Sequence, residues 1–127
     1  MNRTFHIGNK DRPVNFGRNA LMEFERITGR SLMGRIENGV YQAPDLTDIF
    51  ANIDRCVRVA YCGLKWGLYN KDIGSEPVPD FTLQQVADWT QEEEPVFTKI
   101  LEYLLECMAP KTTNTPLSPG EGGGGKV

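Results

Sequence analysis

No stretch of the 127-residue chain approaches the roughly 18–20 consecutive apolar residues of a membrane span, so no transmembrane helix is expected. Histidine occurs once, at His6, in a presumed edge strand with no obvious acid partner. A serine or cysteine nucleophile therefore lacks its usual base, and His6 reads as a surface residue. Cysteine is scarce and odd in number: Cys56, Cys62 and Cys107. The first residues, MNRTFHIGNKDRP, contain no apolar signal core, so free thiols in a reducing cytoplasm are expected. Cys56 and Cys62 fall on one expected helix, about 9 Å apart along its axis and roughly 120° apart around it. They can share neither a metal nor a disulfide, and read as core residues. Positive charge is not in excess. The net charge is -3, with the basic residues concentrated in a short N-terminal segment, so nucleic acid is not an expected partner.

What is present is ordinary for one globular domain: 39% hydrophobic and 24% charged residues. Segments RTFHI (3–7) and RPVNF (12–16) flank the turn-forming GNKD and predict a hairpin within about residues 1–16. Ala20, Leu21, Phe24 and Ile27 share one helical face, which Gly29 ends. Ser31 is expected to cap a short helical turn, LMGRIE, closed by Asn38–Gly39. From Leu46 an apolar stripe runs through Phe50, Ile53, Val57, Ala60, Leu64 and Leu68. It predicts a single helix of about 22 residues, capped by Asp45 or Thr47, with Asp54 and Arg58 paired on its surface. GSEPVPDF breaks it, Thr82 and Gln85 fit a capping box, and Pro95 suits the first turn of a last helix starting near Glu94. Pro110 stops that helix. Twelve of the 18 residues that follow from Pro110 are Pro, Gly, Ser or Thr, so this tail is expected to be disordered. The expected fold is mainly α: a small helical bundle around one long central helix, with a short N-terminal β-hairpin. The domain covers 1–109 and the disordered C-terminal tail 110–127.

Candidate chemistry is thin. Gly120 to Lys126 has the G-x-x-x-x-G-K spacing of a phosphate loop, but proline-rich coil precedes it and Val127 follows the lysine. A strand, a Ser or Thr and a helix are what that chemistry needs. Glu92, Glu93 and Glu94 before Pro95 suit the positive end of a helix better than a metal or a carboxylate pair. Tyr61, Trp66 and Tyr69 cluster where the long helix ends; they either close the core beneath the proline loop or form a partner-binding patch. Residues 1–35 carry seven basic and three acidic residues, and residues 36–109 five and thirteen. This split is either ordinary variation on solvated faces or complementarity between copies or partners.

The order of elements, with NALMEFERITGRSL, VRVAYCGLKWG and DFTLQQVADW, resembles the tail assembly chaperones of long-tailed bacteriophages and related prophages. Asn19, Ala20, Leu21, Phe24, Glu25, Thr28, Gly29, Ser31 and Leu32 carry the first motif, and Phe81, Thr82, Leu83, Val86, Asp88 and Trp89 the last. The likeness covers about residues 1–109. It implies a non-enzymatic protein, without cofactor, metal or small-molecule substrate, that binds the tape measure protein and keeps it soluble. Tail-tube protein then polymerises around that complex. It also implies residence in the host bacterial cytoplasm, absence from the mature virion, and a longer frameshifted product near codons 125–126. Trp66, Leu68 and Tyr69, with Glu102 and Glu106 on the acidic flank of the last helix, are the expected protein-binding residues; weak self-association is a further expectation. A structural head–tail connector or tail-completion protein, or a bacterial helical adaptor, is the alternative.

Overall fold

The computed structural model describes residues 2–44 and 46–108, without the side chains of Arg35 and Asp48. Gly8 and Asn9 both take positive φ, 64° and 69°, which lets two residues reverse the chain with the twist that strands require. Strand β1 (Arg3–Ile7) thus pairs antiparallel with β2 (Lys10–Val14), Ile7 opposite Lys10. The second strand begins two residues earlier than the GNKD reading placed it, because Lys10 and Asp11 already belong to the ladder. Ile7, Val14 and, unexpectedly, Arg12 are buried on the inward face.

Helix α1 (Arg18–Thr28) ends as expected at Gly29, whose φ of 74° directs its N–H to the Glu25 carbonyl at 2.8 Å. Its buried residues are Ala20, Glu23 and Phe24, whereas Ile27 is 40% exposed. The face is turned toward Glu23, for a reason given below.

Two expectations about the middle of the chain are overturned. LMGRIE is not helical: β3 (Arg35–Glu37) and β4 (Val40–Gln42) form a second hairpin. Its turn is Asn38–Gly39 with φ of 52° and 77°, the dipeptide that best suits a primed turn. Ser31 caps no helix; its hydroxyl accepts from the Met33 N–H and donates to the Met33 carbonyl. Nor is there one long central helix. The stripe is divided into α2 (Leu46–Phe50) and α3 (Ile53–Trp66). Asn52 lies between them in extended backbone, its side chain accepting from the Arg55 N–H at 3.2 Å. Asparagine favours that capping geometry over a helix interior. Apolar spacing continues across the break, so periodicity alone cannot reveal it. Asp45, one of the two expected caps, lies outside the described residues.

Helix α3 is central: Cys56, Val57, Val59, Ala60, Cys62, Gly63, Leu64 and Lys65 are buried, and it touches α1, α2, β2, α4 and α5. Its surface pair, Arg58 Nε to Asp54 at 2.9 Å, is as the spacing predicts. A loop over 67–82 leads to α4 (Leu83–Glu92), whose Thr82–Gln85 capping box is complete. Helix α5 (Glu94–Met108) has Pro95 in its first turn. Phe24, Leu64, Val86, Phe97, Ile100 and Leu104 join from four helices into one core. The expected tail, 110–127, lies outside the described residues.

Strand β2 reaches α3 closely because two glycines permit it. The Asn15 N–H donates to the Gly63 carbonyl at 3.0 Å. A Cβ on Gly67 would collide with the Pro13 carbonyl, whereas one on Gly63 would meet the Phe16 ring. Backbone yields less readily than a side chain. Gly67→Ala is therefore expected to cost about 2 kcal/mol or more in urea unfolding, and Gly63→Ala less.

Candidate functional site

Two buried cations organise the face where α3 ends. Lys65 stands in the last turn of α3, where a positive charge meets the helix's negative end. Its side chain is only 7% exposed. Its Nζ donates to Glu23 on α1 at 2.8 Å and to Glu76 on the 67–82 loop at 2.5 Å. The other oxygen of Glu23 accepts from the Trp66 indole at 2.6 Å. This double use explains why α1 turns Glu23 inward. Burial opposes the Lys65 charge, but the bonds from Glu23 and Glu76 outweigh it and hold the ammonium above the usual lysine range. The bond from Lys65 likewise holds the Glu76 carboxyl below its usual range.

Arg12 is the second buried cation. It donates to the Ile7 carbonyl at 2.9 Å, the Gly8 carbonyl at 3.3 Å and Asp80 at 2.9 Å. Its guanidinium also lies 5.1 Å from the Phe81 ring centre and 4.9 Å from that of Trp89. Lys10 reaches the other Asp80 oxygen at 2.7 Å. Lys10 first, then Arg12, lower the Asp80 pKa. The Gly8 N–H meanwhile donates to Glu93, so the hairpin turn is held by α4 and by the loop together. These bonds consume basic residues of the N-terminal segment internally, as does Arg3 with Glu106 at 2.9 Å. The charge split is thus partly complementarity within one chain.

Two of the three thiols, Cys56 and Cys62, are buried, and Cys107 is exposed. Burial raises the Cys56 pKa and pushes that of Cys62 up to about 12, so the Cys62 thiol stays protonated at neutral pH. His6 does have an acid partner, contrary to expectation: Asp11, opposite it in the hairpin, lies 2.8 Å from Nδ1. Both are exposed. Among the described residues no group of three His, Cys, Asp or Glu is placed to hold a metal, and no helix is long and apolar enough to cross a membrane. The phosphate-loop lookalike at 120–126 lies outside the described residues. Glu93 of the acidic triplet is used by Gly8, and Glu94 starts α5.

The structure brings only some of the expected binding residues together. Trp66 is half-buried, anchored on Glu23, with its ring 5.4 Å from that of Tyr69. Leu68 is 40% exposed beside them. Glu102 and Glu106 are exposed on α5, and no bond or ring contact joins either to the aromatic pair. Sequence reading missed Ile73 and Val78, 72% and 90% exposed on the same loop, and Ile36, Val40 and Tyr41 on the second hairpin. Ile73 and Val78 stand beside the turn-formers Gly74, Pro77 and Pro79, and Ile36, Val40 and Tyr41 flank Asn38–Gly39. A groove of about 990 Å³ also runs between α1, the second hairpin and the end of α5, lined by Leu21, Leu32, Tyr41, Ile49 and Met108.

Comparison of the chain with protein families, with curated proteins and with solved structures returns no match in any of the three.

Removing the Lys65 charge strands Glu23. Lys65→Met is expected to cost about 3–5 kcal/mol in urea unfolding, and Lys65→Met with Glu23→Gln to recover most of it. Recovery failing would show that shape, not charge, holds the site. Because Glu76 and Asp80 have lowered pKa values, the stability they add is full above the ordinary carboxylate range and lost as pH falls through their folded values. Unfolding measured from about pH 5 downward should therefore steepen in the wild type and flatten in Glu76→Gln.

Proposed function

We propose that the protein is a non-enzymatic assembly chaperone of the phage tail type, binding the tape measure protein and keeping it soluble while the tail tube polymerises around it. The observation that carries this reading is the set of apolar side chains left facing solvent on the 67–82 loop and on the second hairpin. Leu68, Ile73 and Val78 flank the end of α3, and Ile36, Val40 and Tyr41 crown the second hairpin. Such groups suit a long, helical, aggregation-prone partner whose own apolar stripe needs shielding. The motif in 19–32 supports the same reading, as do buried cations that serve as structural anchors instead of reactive groups. The partner surface is best placed at the end of α3, on Trp66, Leu68 and Tyr69 with the loop residues Ile73 and Val78. The protein then acts in the host cytoplasm and leaves before the particle is complete.

Co-expression tests this directly. The tape measure is expected in the soluble fraction with this protein and in the pellet without it; equal pelleting in both defeats the reading. Presence in purified virions as a stable ring would instead identify a connector. Ile73→Ser with Val78→Ser should lose the solubilising effect with little change in thermal stability, since the two residues are 72% and 90% exposed. Self-association, if driven by the charge split, should weaken between low salt and about 0.5 M.

A further inference from the structure

Residues 70–80 cross the end of α3 with little backbone attachment to the body. The backbone bonds of this segment and its approach, among the described residues, close on the segment itself or on the end of α3: Leu68 to Lys65, Tyr69 to Trp66, and Ile73 and Gly74 to Asn70. Pro77 and Pro79 are half-buried, while Ile73 and Val78 point out. What ties the segment to the body is charge at two points, Glu76 on Lys65 and Asp80 on Lys10 and Arg12. Phe81, buried against Tyr61 and Trp89, then fixes the far end.

We propose that residues 70–80 are a charge-latched strap that opens while the rest of the domain stays folded, and that opening uncovers Lys65 beside the Trp66 indole. Three features support it. Lys65 keeps a buried counter-ion in Glu23 when Glu76 leaves, and Arg12, on losing Asp80, keeps the Ile7 and Gly8 carbonyls and the faces of Phe81 and Trp89. Both latch carboxylates are half or more exposed, at 59% for Glu76 and 50% for Asp80, so water can replace the bonds they give up, and Lys10–Asp80 is exposed on both sides and of modest strength. Segments with few buried contacts and few backbone bonds to the body open at the low end of the local stability range. The groups facing Glu76 are Lys65 on α3 and Arg26 on α1, with Glu23 behind the lysine; those facing Asp80 are Lys10 and Arg12 on β2. With Glu76 displaced, Lys65, Arg26 and Glu23 leave a net positive site next to an aromatic ring. The strap therefore covers Lys65 beside Trp66 and carries Ile73 and Val78 of the proposed partner face on its outer side, and only a use of the device in partner binding rests on the chaperone reading.

The test needs no partner. Acylation of Lys65 by an amine-reactive ester is followed by mass spectrometry in native buffer, with exposed Lys99 as internal reference. Glu76→Gln should raise the Lys65 rate at least about threefold, the scale of losing one charge-assisted surface pair. That variant also alters the basicity of Lys65, so Asp80→Asn decides. Asp80 touches neither Lys65 nor Glu76, and a rate increase there reports movement of the strap as a unit. Arg12 retains two carbonyls and its aromatic contacts in Asp80→Asn. Lys10→Gln loosens the same latch from the exposed side, without touching Arg12, if Asp80→Asn fails to fold. Faster Lys65 labelling in either variant, at unchanged thermal stability, supports the strap. Unchanged labelling in the folded latch variant, or wild-type labelling whose urea dependence equals that of global unfolding, overturns it.

Discussion

Helix α3 is buried on more than one side, and that constraint shapes everything around it. Eight of its fourteen residues are buried. A helix so enclosed needs cover along several faces, which α1, α2, α4, α5 and β2 supply. Close cover in turn demands small residues at the contact. Gly63 and Gly67 meet that demand, letting the hairpin rest its backbone directly on the helix. The short hairpin, marginal alone, gains its stability from that contact.

The same enclosure makes the charged end of α3 an unusual place. Lys65 cannot reach water freely, so carboxylates must come to it, and α1 rotates to bring Glu23. Arg12 presents a parallel case on the hairpin, satisfied by two carbonyls, one carboxylate and two aromatic rings. Removing Glu23 from Lys65, or its acceptors from Arg12, would leave a buried charge uncompensated, so both arrangements specify how the elements dock more than they add net stability. Both also reach into the 67–82 loop, which is why a segment without regular structure follows a defined course over the domain.

The proposed function places the work of the protein on its surfaces. The thiols of Cys56 and Cys62 are buried, and the cations serve as anchors. Apolar side chains stand in water on the loop and on the second hairpin. On the function proposed above, these side chains are where a partner would dock, and the proposed strap would cover Lys65 beside them.

Much of the fold was legible because its signals are local. The Gly29 stop, the Thr82–Gln85 box, the Asp54–Arg58 pair and the start at Glu94 each depend on residues within one helical turn. The two misreadings were also local, and recoverable. Asn38–Gly39 is a hairpin turn wherever the flanking residues can be strands, and Asn52 is a cap that an apolar stripe conceals. Of the expected binding residues, Trp66, Leu68 and Tyr69 lie together at the end of α3, as their closeness in sequence makes them, while Glu102 and Glu106 stand apart on α5. Residue chemistry and spacing alone determined α1 with its Gly29 stop, α4 with its Thr82–Gln85 box, the start of α5 and the first hairpin. Only the tertiary structure decided that Lys65, Glu23 and Arg12 would be buried. Their partners lie 42 positions away for the Lys65–Glu23 pair and 68 for Arg12–Asp80, and no local pattern encodes a counter-ion at that distance. A charge enters a core only when packing delivers its opposite, and packing is settled by the whole chain at once.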